Sequence, residues 1–188
     1  MDEILRALQD VGTIRIDDND VGLTSSFERE IDDLTDANPG RSSALLIRER
    51  LLEDLDIPTL DPVVVAMLDN LYRGFPPDHS APATFFPVHV DHLVALRDSL
   101  QKALIYIWRE NCDPCETMKG HLESEFGNQA DDVVLLSAYG PEDPEQLHEE
   151  YDIRGAPTLL FVRNGNVDAR LLGAHPPSVL TTEFEKSF

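Results

Sequence analysis

Ala103-Leu104-Ile105-Tyr106-Ile107-Trp108-Arg109-Glu110-Asn111-Cys112-Asp113-Pro114-Cys115 carries the strongest structural signal in the chain. Its first six residues are apolar without a break, as in a central strand buried on both faces. Pro114 suits the first turn of a helix, where a missing N–H costs nothing. A helix is therefore predicted to open at about Cys112 and to run toward Phe126. A helix start offers unpaired N–H groups and a partial positive charge. Both favour a thiolate over a thiol and lower the pKa of a cysteine placed there. Cys112 is thus read as an exposed attacking sulfur. Cys115, one turn further in, is the sulfur that would close an internal disulfide.

Strands and helices alternate on both sides of this stretch. Upstream, Phe85 to Val90 has strand composition, and Asp91 can cap a helix through Val94, Leu96 and Leu100. Downstream, Val133 to Leu136 reads as a second buried strand and Pro144 to Tyr151 as a short helix. Thr158–Val162 and Val167–Leu172 read as strands joined by Arg163-Asn164-Gly165-Asn166, where Asn-Gly is a hairpin signal. A last helix follows Pro176-Pro177. The expected class is α/β: parallel strands with crossover helices, then an antiparallel hairpin, in a mixed sheet flanked by helices.

The stretch Ala103 to Cys115 resembles the active-site strand and loop of the thioredoxin family. Tyr151-Asp152-Ile153-Arg154-Gly155-Ala156-Pro157-Thr158, followed by Asn164-Gly165 and Gly173, is similar to that family's cis-proline segment and closing hairpin. The resemblance covers about residues 85–188. It implies a thioredoxin-like domain that reduces protein disulfides through Cys112 and Cys115, and it needs no cofactor beyond that redox-active disulfide. It also implies roles for supporting residues. Pro157 would be cis and face the cysteines, Ala156 would offer its backbone to an extended substrate, and Gly173 would leave room for a partner. Trp108 would pack beneath the loop. The implied partners are protein dithiols and disulfides, and a separate reductase.

Several positions depart from the family pattern. Asn111 stands where a tryptophan is usual, and Asp113 where a glycine is. The usual buried aspartate falls at Tyr106, and the lysine often paired with it near Leu135. Asp113 puts negative charge beside Cys112 and should raise its thiol pKa. A less stabilised thiolate favours the disulfide, so a reducing couple is expected.

Residues 1–74 read as a small, mainly helical N-terminal domain, and residues 75–84, rich in proline, preceded by Gly74 and without periodicity, as a linker. Ile4, Leu5, Leu8 and Val11 share a helical face that Gly12 ends. A short strand is expected at Thr13–Ile16. Ser25 or Ser26 could cap a helix to about Asp36. Ser42 or Ser43 precedes an amphipathic helix carrying Leu45, Leu46, Leu51, Leu52 and Leu55. Asp61 caps a fourth helix with Pro62 in its first turn. No catalytic motif lies here, so docking or homodimerisation is the default expectation.

The chain has 188 residues, with 36 acidic and 15 basic side chains and a net charge of −21. Such a surface repels nucleic acids and anionic membranes, so neither is an expected partner. Only Lys102, Lys119 and Lys186 are lysines, and this acidic, lysine-poor balance resembles that of proteins from halophilic archaea. No apolar run is long enough to span a membrane. The acidic start lacks the features of a secretory signal, and two close cysteines are not a secreted disulfide framework. The cytoplasm is the expected location.

Other readings of the cysteines remain open. A non-catalytic or redox-sensing interaction module would keep the fold without the turnover. A structural zinc site needs four ligands, and His121 on the predicted helix is not enough. His89-x-x-His92 could be half a metal site, but both are read as solvated. His79, His148 and His175 are expected at the surface. Glu110, Glu116 and Glu123 surround the motif and could select partners by charge. Arg154 is expected near the active face, with a steering role.

Overall fold

The computed structural model describes residues 2–17, 20–127 and 132–188. The chain divides after Gly74 into two compact units.

The first unit holds α1 (Asp2–Asp10), β1 (Ile14–Asp17), β2 (Asp20–Leu23), α2 (Ser25–Ala37), α3 (Ser43–Leu55) and α4 (Pro62–Arg73). Gly12 ends α1 at φ 77°, which lets the Thr13 N–H donate to the Leu8 carbonyl at 2.9 Å. The single strand expected at 13–16 is one of two antiparallel strands, β1 and β2, and residues 18–19 between them lie outside the described residues. Composition hides the second strand because Asp20 and Gly22 are poor strand formers. A Cβ at Gly22 would sit 2.9 Å from the guanidinium of Arg15, its cross-strand partner, and that flexible side chain would have to shift to make room.

Thr24, one residue before the expected serines, caps α2 by accepting from the Phe27 N–H. Ser42 caps α3, and Asp61 caps α4 with Pro62 in its first turn. The inward stripe of α3 is rotated from the expected one. Leu45 is 38% exposed, while Ile47 and Leu51 are buried. Leu8, Ile14, Phe27, Ile31, Ile47, Leu51, Val65 and Leu68 form the core of this unit.

The second unit runs β3 (Phe86–Pro87), α5 (Leu93–Ser99), β4 (Lys102–Trp108), α6 (Asp113–Phe126), β5 (Val134–Tyr139), α7 (Pro144–Tyr151), β6 (Thr158–Arg163), β7 (Asn166–Leu172) and α8 (Pro177–Ser187). The sheet order is β3-β5-β4-β6-β7. β3 and β4 lie parallel to β5, while β6 is antiparallel to β4 and to β7. This is a thioredoxin fold, a mixed sheet flanked by helices. β4 is central, and all but its first residue are buried. Its alternation sends Leu104, Tyr106 and Trp108 into one core with Met118, Leu122, Phe126 and Leu180 from α6 and α8. Ile105 and Ile107 face the other side. Asn164 and Gly165 both have positive φ, which closes β6 onto β7 in a two-residue turn. Among the described residues no helix is long and apolar enough to cross a membrane.

Three expectations need correcting here. The strand at Phe85–Val90 shrinks to two residues, because Pro87 has no N–H to give and the chain turns into a 3₁₀ helix at Val90–His92. Asp91 therefore lies in that turn and does not cap α5, which has no side-chain cap. Residues 75–84 are not a free linker but part of the second unit. Consecutive turns close Ala81 onto Asp78 and Phe85 onto Pro82, and Ala81 and Phe85 enter the core.

Candidate active site

β4 delivers the chain to the site, and α6 begins it. Asn111 joins them at φ 52°, a left-handed conformation that asparagine tolerates better than most residues. That geometry accounts for asparagine at a position where the family resemblance expects tryptophan. Cys112 is the N-cap of α6. The Cys115 N–H donates to the Cys112 sulfur at 3.2 Å and to its carbonyl at 2.8 Å. A charged Cys112 sulfur would keep that N–H and the end of the helix dipole as its stabilisers.

Cys112 and Cys115 form a disulfide, with Cα atoms 5.2 Å apart. Cys115 has no exposed surface and Cys112 retains 6%. The order of accessibility is as expected, but Cys112 is far less exposed than its place at a helix start suggests. Asp113 and Pro114 fill the first turn of α6 in the open, and Glu116 joins Asp113 as a second acid there.

The Ala156–Pro157 peptide is cis, and the Ala156 carbonyl oxygen lies 3.8 Å from the Cys112 sulfur. The Gly173 N–H donates to the Pro157 carbonyl at 2.8 Å, and Thr158 ties its hydroxyl back to Gly155. Gly173 has φ 82° and open space where a Cβ would stand. The structure thus brings Cys112, Cys115, Ala156, Pro157 and Gly173 to one end of the sheet. Trp108 is fully buried beneath, in one core cluster with both cysteines.

Tyr106 takes the place of a buried acid. Its hydroxyl donates to the Cys115 carbonyl at 2.9 Å. Burial raises its pKa above the ordinary tyrosine value, and the charge of Glu116 adds to the effect. The hydroxyl therefore stays protonated and remains a donor. Tyr106→Phe removes that donor from a buried carbonyl and should cost about 1 kcal/mol in urea unfolding. A loss above ~3 kcal/mol would show that the hydroxyl holds more than this one bond. The neighbour of Tyr106 on β5 is Ser137, not Leu135, because Leu135 pairs with Leu104.

Residues 78–80, missed by the sequence reading, pack on the site. The His79 ring meets Trp108 edge-on at 5.0 Å, and Tyr139 covers another side of the indole at 5.1 Å. Lys119 donates to the His79 carbonyl at 2.7 Å, and the buried Ser80 bonds Glu116. No periodicity marks such a segment. Ala81, an apolar residue inside the supposed linker, is buried in the core of the second unit. Glu110 lies 3.6 Å from His79, so the acids around the motif are partly spoken for.

The histidine pair also differs from expectation. His89 is half-sequestered against Glu142, and His92 is 5% exposed, so neither is a solvated side chain. His121 faces the His175 carbonyl at 2.8 Å and stands apart from the cysteines.

The thioredoxin family model matches residues 88–186. A thioredoxin of Rhodospirillum rubrum is 32% identical over 80 residues, which are 43% of this chain and 76% of that protein. The chloroplastic M-type thioredoxin of Spinacia oleracea is 26% identical over 83 residues. They are 44% of this chain, and the chain spans 45% of that protein's length. Among solved structures, desulfothioredoxin from Desulfovibrio vulgaris Hildenborough, in its reduced form, is 27% identical with a TM-score of 0.45. That match covers 50% of this chain and 88% of the other. Because the family match runs unbroken from before β4 through both cysteines and the cis-proline turn into α8, the chain belongs to the thioredoxin family.

Proposed function

We propose that this protein is a thiol–disulfide oxidoreductase that reduces protein disulfides. One observation carries the reading: two cysteines at a helix start, already paired, with the more accessible sulfur 3.8 Å from the backbone of a cis-proline turn. In each turnover the Cys112 thiolate attacks a substrate disulfide and releases one substrate thiol. Cys115 then attacks the mixed disulfide, releases the second thiol and leaves the Cys112–Cys115 disulfide. Two electrons and two protons pass to the substrate. A separate reductase restores the dithiol. Residues 1–74, with a core of their own and no second cysteine pair, serve docking or self-association. The working medium is the salt-rich cytoplasm of a halophilic archaeon, a reading supported by 36 acids against 15 bases.

The test is insulin reduction driven by dithiothreitol, with the reduction potential measured alongside. Turnover is expected, with a potential nearer about −270 mV than about −120 mV. A strongly oxidising value, or no turnover, would overturn the reading. Asp113 sets a further test. Asp113→Asn removes a charge beside the forming thiolate and should raise the potential by about 10–20 mV at low salt. The difference should shrink in molar salt, where the Debye length falls to about 3 Å. The salt-rich setting is checked by melting. Dilution from molar to about 0.1 M potassium chloride should lower the melting temperature, because it restores the repulsion among 21 excess negative charges. An unchanged melting temperature would count against it.

A further inference from the structure

A cavity of about 610 Å³ opens beside the redox pair. Its apolar lining includes Ile107 at the end of β4, Leu147 on α7 and Ile153 ahead of the cis-proline turn. One wall is Gly155–Ala156, and the Ala156 carbonyl is the group 3.8 Å from the Cys112 sulfur.

The charge of the lining is opposite to that of the chain. Acids outnumber bases by 36 to 15 overall, yet the lining contains Arg109, Arg154 and His148 and no carboxylate. Arg154 is partly neutralised by Asp152 at 3.1 Å, and His148 lies 3.6 Å from the same carboxylate. Arg109 has no ion-pair partner among the described residues, so its charge is available to a ligand. The excess of acids repels an acidic partner from the protein as a whole, whereas this cavity beside the sulfurs offers it two arginines.

We propose that this cavity makes the disulfide exchange selective for acidic partners, through Arg109 and Arg154 in its lining. Its occupant is an extended segment of an acidic partner protein, with an apolar side chain entering the cavity and flanking carboxylates meeting Arg109 and Arg154. This rests on the proposed disulfide reduction and names its substrate class. An extended chain advances about 3.3 Å per residue. A partner cysteine bonded to Cys112 therefore places the residue two positions away about 7 Å off, within reach of the cavity. Burying one large apolar side chain supplies affinity, and the arginines supply selection.

The test uses the full chain and three synthetic peptides, each with one cysteine in a mixed disulfide with 5-thio-2-nitrobenzoate. Two positions from the cysteine they carry Glu-Phe-Glu, Lys-Phe-Lys or Glu-Gly-Glu. The pre-reduced protein gives up two electrons and two protons to each, releasing the coloured thiol and the peptide thiol. At about 0.1 M salt the Debye length is about 10 Å, so distant acids are screened while the arginines next to the peptide are not. Under those conditions Glu-Phe-Glu should react about tenfold faster than Lys-Phe-Lys, and faster than Glu-Gly-Glu. In 1 M salt the charge preference should fall away and the phenylalanine preference should remain.

Arg109→Glu should reverse the charge preference. His148→Trp, which puts a bulky ring at the rim, should remove the phenylalanine preference. Binding of fluorescein-labelled, cysteine-free versions of the peptides to the Cys112→Ser/Cys115→Ser protein should rank the same way without any chemistry. Equal rates for the three peptides, or a preference for Lys-Phe-Lys, overturn the pocket assignment while leaving disulfide reduction standing. If none of the peptides reacts, the proposed reduction itself fails, and the binding ranking alone then decides the pocket.

Discussion

Cys112→Ser is expected to abolish disulfide exchange, whereas Cys115→Ser completes the first attack and stalls there. The two sulfurs differ in ways the structure makes concrete. Cys112 caps α6, receives the Cys115 N–H and keeps 6% of its surface, while Cys115 keeps none. Only Cys112 can meet an incoming disulfide without the helix opening. Without its sulfur no mixed disulfide forms, and turnover should fall by more than about 10³-fold, to the level of the uncatalysed exchange with dithiothreitol. Without Cys115, a covalent complex forms through Cys112 and persists, because the sulfur that would release it is gone. Non-reducing electrophoresis of each variant, incubated with a disulfide-bonded bait and then alkylated, reads this directly. A ladder of adducts should appear with Cys115→Ser and vanish on reduction, and none should appear with Cys112→Ser. Equal trapping by the two variants would mean that the order of attack is wrong.

The features that were legible in the sequence are those whose cause is local. The run 103–108 announces a buried strand because six apolar side chains in succession leave no polar face. Asn164-Gly165 announces a turn because both residues take positive φ at little cost. Pro62 and Pro114 mark helix starts through the N–H they lack. Ser42 and Asp61 announce caps through side chains that bond the backbone two or three residues on. The cysteine pair is legible as a site because the two sulfurs and the helix start that favours a thiolate lie within one turn of chain.

What was not legible depends on pairing across the chain. Composition at 85–90 says strand, but only the register against β5 shows that two residues pair and that Val88 adds one more bond to the Ser137 carbonyl. That Tyr106 lies beside Ser137 is likewise fixed by strand register, which counting along the sequence does not supply. Residues 78–82 looked like a linker because irregular chain has no period. Their order comes from a lysine and a glutamate some forty positions away, Lys119 and Glu116. The Tyr106 hydroxyl finds a backbone carbonyl, which no side-chain pattern can signal.

Trp108→Ala should bring the largest loss of stability of any single change near the site. The side chain is fully buried and is held between the Tyr139 ring at 5.1 Å and the His79 ring at 5.0 Å. Truncating a buried tryptophan costs about 3–5 kcal/mol, a large share of the roughly 5–15 kcal/mol that holds an ordinary domain together. Trp108→Phe should cost much less than its lost volume suggests. The buried indole N–H has no acceptor among the described residues, and an unpaired buried donor carries a penalty of about 1–3 kcal/mol. Phenylalanine removes that penalty while keeping an aromatic face for Tyr139, so a net loss of about 1–2 kcal/mol is expected. His79→Ala should cost about 0.5 kcal/mol, because that ring is half in solvent and gives up one edge-to-face contact. Trp108 is the only tryptophan, so its variants must be followed by circular dichroism in urea rather than by fluorescence. The ranking Ala, then Phe, then His79→Ala is the content of the prediction. A Trp108→Phe loss as large as that of Trp108→Ala would mean that the indole N–H has an acceptor, and that the loop before Cys112 is anchored by a hydrogen bond rather than by packing alone.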